Sequence, residues 1–224
     1  MISKAETQLI IRRDLTMNNM PNCQKCGNKN NGEFYHICDL CYTLEQNLPT
    51  NVTNSAWIYA ENGEREEFRG DRKLHDFIIL CHITNLIRPD PKKRIISIGE
   101  TMEIVVQDDA IDKLAKESGL LSGKWMIYAS KEDIDKLWKI VASSVMRNEL
   151  GISTKVSSAM QKKENYLICV YTKDYFDKED VDKIRNRLKE LGFTHKLYYK
   201  TDMYTYLNIY SGTFSGIRAS RYSE

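Results

Sequence analysis

The sequence contains no run of about 18 apolar residues and no hydrophobic leader, so neither a membrane span nor a secretory route is expected. The chain is therefore read as soluble and cytoplasmic. It also lacks an excess of charge of either sign: 33 Lys and Arg stand against 31 Asp and Glu, a net +2. That balance excludes a global electrostatic attraction to nucleic acid and leaves only local patches to make one. No glycine-rich phosphate loop, nucleophile elbow or dinucleotide fingerprint occurs, and no internal repeat. What is present is the composition of a globular protein, 42% hydrophobic and 29% charged over 224 residues. One domain of ordinary size with an appendage fits that length.

Cysteine is scarce but patterned. Cys23 and Cys26 form one C-x-x-C and Cys38 and Cys41 a second, with eleven residues between them. Two such knuckles supply four tetrahedral thiolates, which is the requirement of a closed structural zinc site. Two disulfides are the competing arrangement, and the absence of a leader argues against them. A structural Zn2+ is thus the expected cofactor. His36 is then a surface residue, because four sulfurs already fill the site. Lys25 and Lys29 are balanced by Glu33 and Asp39, which is no basic stripe, so a protein partner for this ribbon is as well founded as nucleic acid. Cys81 and Cys169 lie in apolar runs and read as buried thiols.

The organisation expected is an arm over 1–20, a zinc ribbon over 21–44, a linker over 45–56, a core domain over 57–210 and a flexible tail over 211–224. Within the core, Phe77–Ile83 reads as a buried strand. Arg94–Ile98 and Met102–Gln107 read as a strand pair across Gly99-Glu100, and a short helix follows from Ala110 to Ser118. The segment from Gly123 to Tyr210 carries the strongest periodicity. Lys124–Ala129 alternates, with Trp125 and Ile127 on one side and Lys124, Met126 and Tyr128 on the other. Ser130-Lys131-Glu132-Asp133 has capping-box spacing before a helix striped by Ile134, Leu137, Trp138, Val141, Ala142 and Val145. Gly151 is the expected left-handed residue at its end. Ile152–Ser158 places Lys155 between two serines, opposite Thr154 and Val156. Tyr166–Thr172 is apolar on both sides, and a second helix from about Asp177 turns Val181, Ile184, Leu188 and Leu191 inward before Gly192. A tyrosine-rich hairpin, Tyr198 to Tyr210, closes the core.

The succession GKWMIY, a Leu-Trp pair in the helix, TKVS, ICVYTKD and YYKTDMYTYLNIY resembles the basophilic-leukaemia-expressed protein family over roughly Leu120–Tyr210. That resemblance implies a fold like the cap-binding translation initiation factor, and Gly-x-Trp before a Leu-Trp helix is similar to that factor as well. The order of Lys124, Lys155 and Tyr171 before a helix ending at Gly192 also resembles bacterial phosphothreonine lyases. In those enzymes a lysine takes the Cα proton and a histidine protonates the leaving phosphate. Lys155 matches the base by order, whereas Met126 stands where the acid belongs. A methionine cannot give a proton, at a cost of about 10²–10⁴ in rate.

The fold expected is α+β: a curved, mainly antiparallel sheet with two long helices on one face. Its concave groove is expected to take a phosphate-bearing ligand, nucleotide or RNA, without catalysis. Lys124, Lys155 and Lys200 are the candidate phosphate contacts, with Tyr171, Tyr204 and Tyr206 as aromatic contacts. The alternatives are a phosphothreonine or phosphoserine lyase with Lys155 as base, and a protein-interaction scaffold. Of the tryptophans, Trp125 and Trp138 are read as core. Trp57 is the one outside the predicted core elements.

Overall fold

The computed structural model describes residues 8–12, 44–62, 68–214 and 216–224. The cysteines of the expected zinc ribbon, Cys23, Cys26, Cys38 and Cys41, lie outside the described residues. Ten strands are described: β1 Gln8–Arg12, β2 Trp57–Glu61, β3 Ile87–Asp90, β4 Ile95–Ile98, β5 Met102–Val105, β6 Gly123–Ala129, β7 Ser153–Ser157, β8 Tyr166–Thr172, β9 Tyr198–Thr201 and β10 Tyr222–Ser223. Among the described residues, five α-helices have bounds at both ends, α1 Arg72–Ile83, α2 Asp108–Ser118, α3 Ile134–Met146, α4 Lys178–Glu190 and the short α5 Asp202–Tyr206, and Ala159–Gln161 form a 3-10 turn. The class is α+β, and all but one of the strand pairs whose register is known are antiparallel. The exception is β1, which runs parallel to β2 and places part of the presumed arm in a sheet.

The chain forms two units, the first from residues 1–64, 126–171 and 184–194 and the second from 65–125, 172–183 and 195–224. In the first, the strand order is β1-β2-β7-β8, followed by residues 126–129 of β6. Alternation along β2 and β7 buries Ile58, Ala60, Thr154 and Val156, against which α3 packs. The helical stripe is the one the 3.6-residue period requires: Ile134, Trp138, Val141, Ala142 and Val145 are fully buried. Asp133 caps α3 without a side-chain bond to the helix; its carboxylate accepts instead from the Ser130 hydroxyl at 3.1 Å. The left-handed residue after α3 is Asn148 (φ 61°), not Gly151. Gly151 (φ 59°) serves the turn into β7, where a Cβ would come within 2.6 Å of the Tyr171 carbonyl oxygen.

The second unit holds the first residues of β6 with β9 and β10, and a separate antiparallel sheet β3-β4-β5 in which Ile98 faces Met102, as the Gly99-Glu100 turn implies. Two expectations are corrected here. Phe77–Ile83 belongs to helix α1. A short continuous apolar run suits a buried strand or a helix equally. Asp71 decides the matter, accepting from the N–H groups of Lys73 (2.8 Å) and Leu74 (3.2 Å) and so starting a helix within the charged segment. Likewise Tyr198–Tyr210 is no hairpin. The Thr201 hydroxyl accepts from the Tyr204 N–H, and the chain turns into α5 directly after β9. The tail read as flexible ends in a strand instead: Tyr222 pairs with Tyr199, and Arg221 binds Asp112 at 2.7 Å.

Candidate functional site

Strand periodicity gathers one set of side chains on the side of the first unit's sheet opposite to Ile58, Ala60, Thr154 and Val156. Register then sets them in rows. Trp57 faces Ser157, Tyr59 faces Lys155, and Lys155 faces Cys169 across β7 and β8. The row beyond holds Glu61, Ser153 and Tyr171. Directly opposed residues share a face of the sheet, so these groups form one surface. Tyr128 of β6, 59% exposed, lies near enough to Cys169 to interact with it electrostatically.

Lys155 is the centre of that surface. Its Nζ lies 4.4 Å from the centre of the Trp57 ring, 5.7 Å from that of Tyr171 and 5.8 Å from that of Tyr59. All three distances are within the range over which a ring quadrupole attracts a cation. The lysine is neither fully buried nor fully exposed, and three aromatic rings drawn from the two strands that flank β7 lie around it. The rings beside it offer the π-surface on which a flat base stacks.

The other expected site residues lie elsewhere, all of them in the second unit. Lys124 is buried, and its ammonium donates to the Asp202 carboxylate and, at 2.9 Å, to the Thr205 hydroxyl. Ser122 donates to the other oxygen of the same carboxylate. The phosphate role expected of Lys124 is corrected on that ground, since its charge is spent on the half-buried carboxylate of Asp202. Lys200 is also buried, with Nζ 3.6 Å from the centre of the Tyr210 ring. Tyr204 is 2% exposed and donates its phenol proton to Asp108 at 2.7 Å, so it offers no stacking face. Tyr206 stands edge-on to His82 at 5.4 Å between centroids. Helix α5 is the reason: it takes Tyr204 and Tyr206 out of the strand geometry on which the expectation rested.

Trp125 and Trp138 are core, 1% and 0% exposed. Trp125 donates its indole N–H to the Val181 carbonyl at 3.0 Å, which ties β6 to the first half of α4. Sequence reasoning left Tyr59 out of the site, although the alternation of Trp57-Ile58-Tyr59 was signal enough to put Trp57 and Tyr59 on one face. The pairing of β2 with β7, which brings both to Lys155, has no local signature. Among the described residues no group of three or more His, Cys, Asp or Glu side chains is placed to hold a metal.

Fold and surface define an α+β protein with an aromatic, lysine-centred sheet face. The chain belongs to the family described as basophilic leukemia-expressed protein Bles03, which it matches over residues 97–208, half of its length. Among solved structures it is similar to a schistosome eIF4E complexed with m7GpppA and 4E-BP, at 17% identity and a TM-score of 0.35, over 46% of this chain. It is also similar to Ascaris suum eIF4E-3 with the m2,2,7G cap, at 14% identity and a TM-score of 0.35, over 47% of this chain. The chain spans 58% of the length of each of these structures. At such TM-scores the likeness carries no functional argument.

Proposed function

We propose that the Lys155 face is a non-catalytic binding surface for a phosphate-bearing aromatic ligand, a nucleotide or a short single strand of RNA. The observation that carries this reading is the triad of rings, Trp57, Tyr59 and Tyr171, around one ammonium. Stacking of a base on an aromatic side chain contributes about 1–3 kcal/mol and tolerates any base. A lysine at the same place supplies a charge-assisted hydrogen bond to phosphate. Glu61 lies two positions along β2 from Tyr59 and four from Trp57, so the phosphate belongs at the Trp57 and Ser157 end, away from that carboxylate. Titration of the protein with GMP or a short oligouridylate, followed by tryptophan fluorescence, tests the reading. Trp125 and Trp138 are buried, so quenching by a ligand reports on Trp57. Saturable quenching that Trp57→Phe abolishes supports the proposal; no quenching by any nucleotide defeats it.

A second reading is an elimination enzyme acting on a phosphorylated residue, with Lys155 as base. It is favoured by Tyr171, whose ring centre lies 5.7 Å from the ammonium and whose phenol is the one acid among the three rings besides Tyr59. His75, His82 and His195 all belong to the second unit. Incubation with a phosphothreonine peptide distinguishes this reading by mass: loss of phosphoric acid leaves a dehydro residue, and binding leaves the peptide intact.

A further inference from the structure

A site of another kind lies at the β9 edge in the second unit, and the chain itself fills it. Arg221, Tyr222 and Ser223 run along β9 as an added strand. Tyr222 pairs with Tyr199 and Ser223 with Tyr198, and the Arg221 N–H donates to the Tyr199 carbonyl at 2.7 Å. The side chains are held as specifically as the backbone. Asp108 and Asp112 stand four residues apart on α2, and so on one face of it. The Arg221 guanidinium spans them, one terminal nitrogen 2.7 Å from Asp112 and the other 3.3 Å from Asp108. Tyr222 rests its ring 5.4 Å from that of Tyr199 and donates its phenol proton to the Tyr175 carbonyl at 3.0 Å.

We infer that this edge is a docking groove for an extended segment of a partner protein in which arginine is followed directly by tyrosine, and that Arg221-Tyr222 closes it as an internal competitor. Strand addition takes affinity from the main chain and specificity from side-chain contacts, and both are built here. Two carboxylates on successive turns call for a planar fork; the single nitrogen of a lysine does not span them as a guanidinium does. The charge-assisted bonds to them are stronger than neutral ones. The Tyr175 carbonyl calls for a phenol, so phenylalanine in the second place loses a hydrogen bond. The resident segment is short: β10 has two residues, stands at one end of the strand order, and follows residues 216–220, which belong to no helix or strand. An edge segment of this kind opens at lower cost than the core around it. Its tether keeps it at an effective concentration of roughly millimolar, so a partner segment needs the same arginine–tyrosine pair to displace it.

The experiment uses the full chain and a fluorescein-labelled synthetic peptide with the sequence of residues 216–224, read by anisotropy. In Arg221→Ala/Tyr222→Ala the resident segment loses both anchors. The peptide should then bind saturably, and about tenfold or more tighter than to the wild type. A peptide with alanine in place of the arginine should bind about tenfold or more weakly, and adding Asp112→Asn to the double variant should do the same. Equal binding by wild type and double variant, or equal binding of the two peptides, overturns the inference. So does a folded double variant that binds neither. Hydrogen exchange of the wild type needs no variant: the Arg221 amide should exchange about tenfold or more faster than that of Ile111 in α2. Exchange of both at one rate means that the segment opens only with the whole fold, and overturns the inference as well. A wild-type dimer in light scattering that Asp112→Asn dissolves makes the occupant a second copy and overturns its assignment to a partner protein.

Discussion

Lys124, buried, and Asp202, half-buried, form an ion pair across 78 residues of chain, joining the start of β6 to the first residue of α5. Thr205 and Ser122 complete its hydrogen bonds. A pair of this kind adds little against a well-packed apolar substitute, but removing one partner strands the other as an uncompensated charge. Lys124→Met should therefore destabilise the protein by about 3–5 kcal/mol, read from the midpoint of a urea transition. The double variant Lys124→Met/Asp202→Leu should recover much of that loss. A single variant as stable as the wild type would return Lys124 to the pool of available cations.

Three tyrosines of the second unit make its stability sensitive to alkali. Burial first, then the Asp112 carboxylate that accepts its proton at 2.8 Å, raise Tyr175 well above the ordinary phenol range. Burial raises Tyr199 and, helped by Asp108, Tyr204 in the same direction. In the unfolded chain these phenols ionise near the ordinary value of about 10. The folded state then holds protons that the unfolded state has released, so stability is intact below that pH and falls as pH rises beyond it. The slope should approach about 1.4 kcal/mol per pH unit for each such tyrosine. Denaturant titrations between about pH 9 and 11 check this. Tyr175→Phe should flatten the alkaline fall, and an unchanged slope would contradict the assignment.

Much of the fold could be read from local pattern, because local pattern is what sets it. Five of the six residues of the α3 stripe are buried, Leu137 being the half-buried sixth, and β4 pairs with β5 across the turn that Gly99 makes (φ 64°). Errors arose where a distant or subtle group decided the outcome. Phe77–Ile83 has no periodicity of its own, and Asp71, outside the run, makes it a helix. A single Thr201 cap converts the expected tyrosine hairpin into α5 and buries Tyr204. For the site, Lys155 and Tyr171 were legible as candidates, but Lys124 was assigned to ligand because its partner lies 78 residues away. No spacing rule finds such a partner.

Zinc is expected at Cys23, Cys26, Cys38 and Cys41, since two C-x-x-C knuckles offer a closed four-sulfur site. Elemental analysis of the purified chain should find about one zinc per chain, with Zn–S distances near 2.3 Å by X-ray absorption. Alanine at any one of the four should lower the metal content. A metal-free protein, or a mass showing two disulfides, would contradict the expectation.

The central claim concerns Lys155 as a charge that meets phosphate beside the aromatic rings, and GMP affinity measured for the wild type, Lys155→Arg and Lys155→Ala tests it most directly. Arginine keeps the positive charge and its contact with the rings, so that variant should retain binding. Alanine should weaken it by roughly tenfold or more, the loss of a hydrogen bond to a charged group, and rising salt should narrow the gap. Equal affinity in all three proteins, or binding indifferent to salt, would contradict the account.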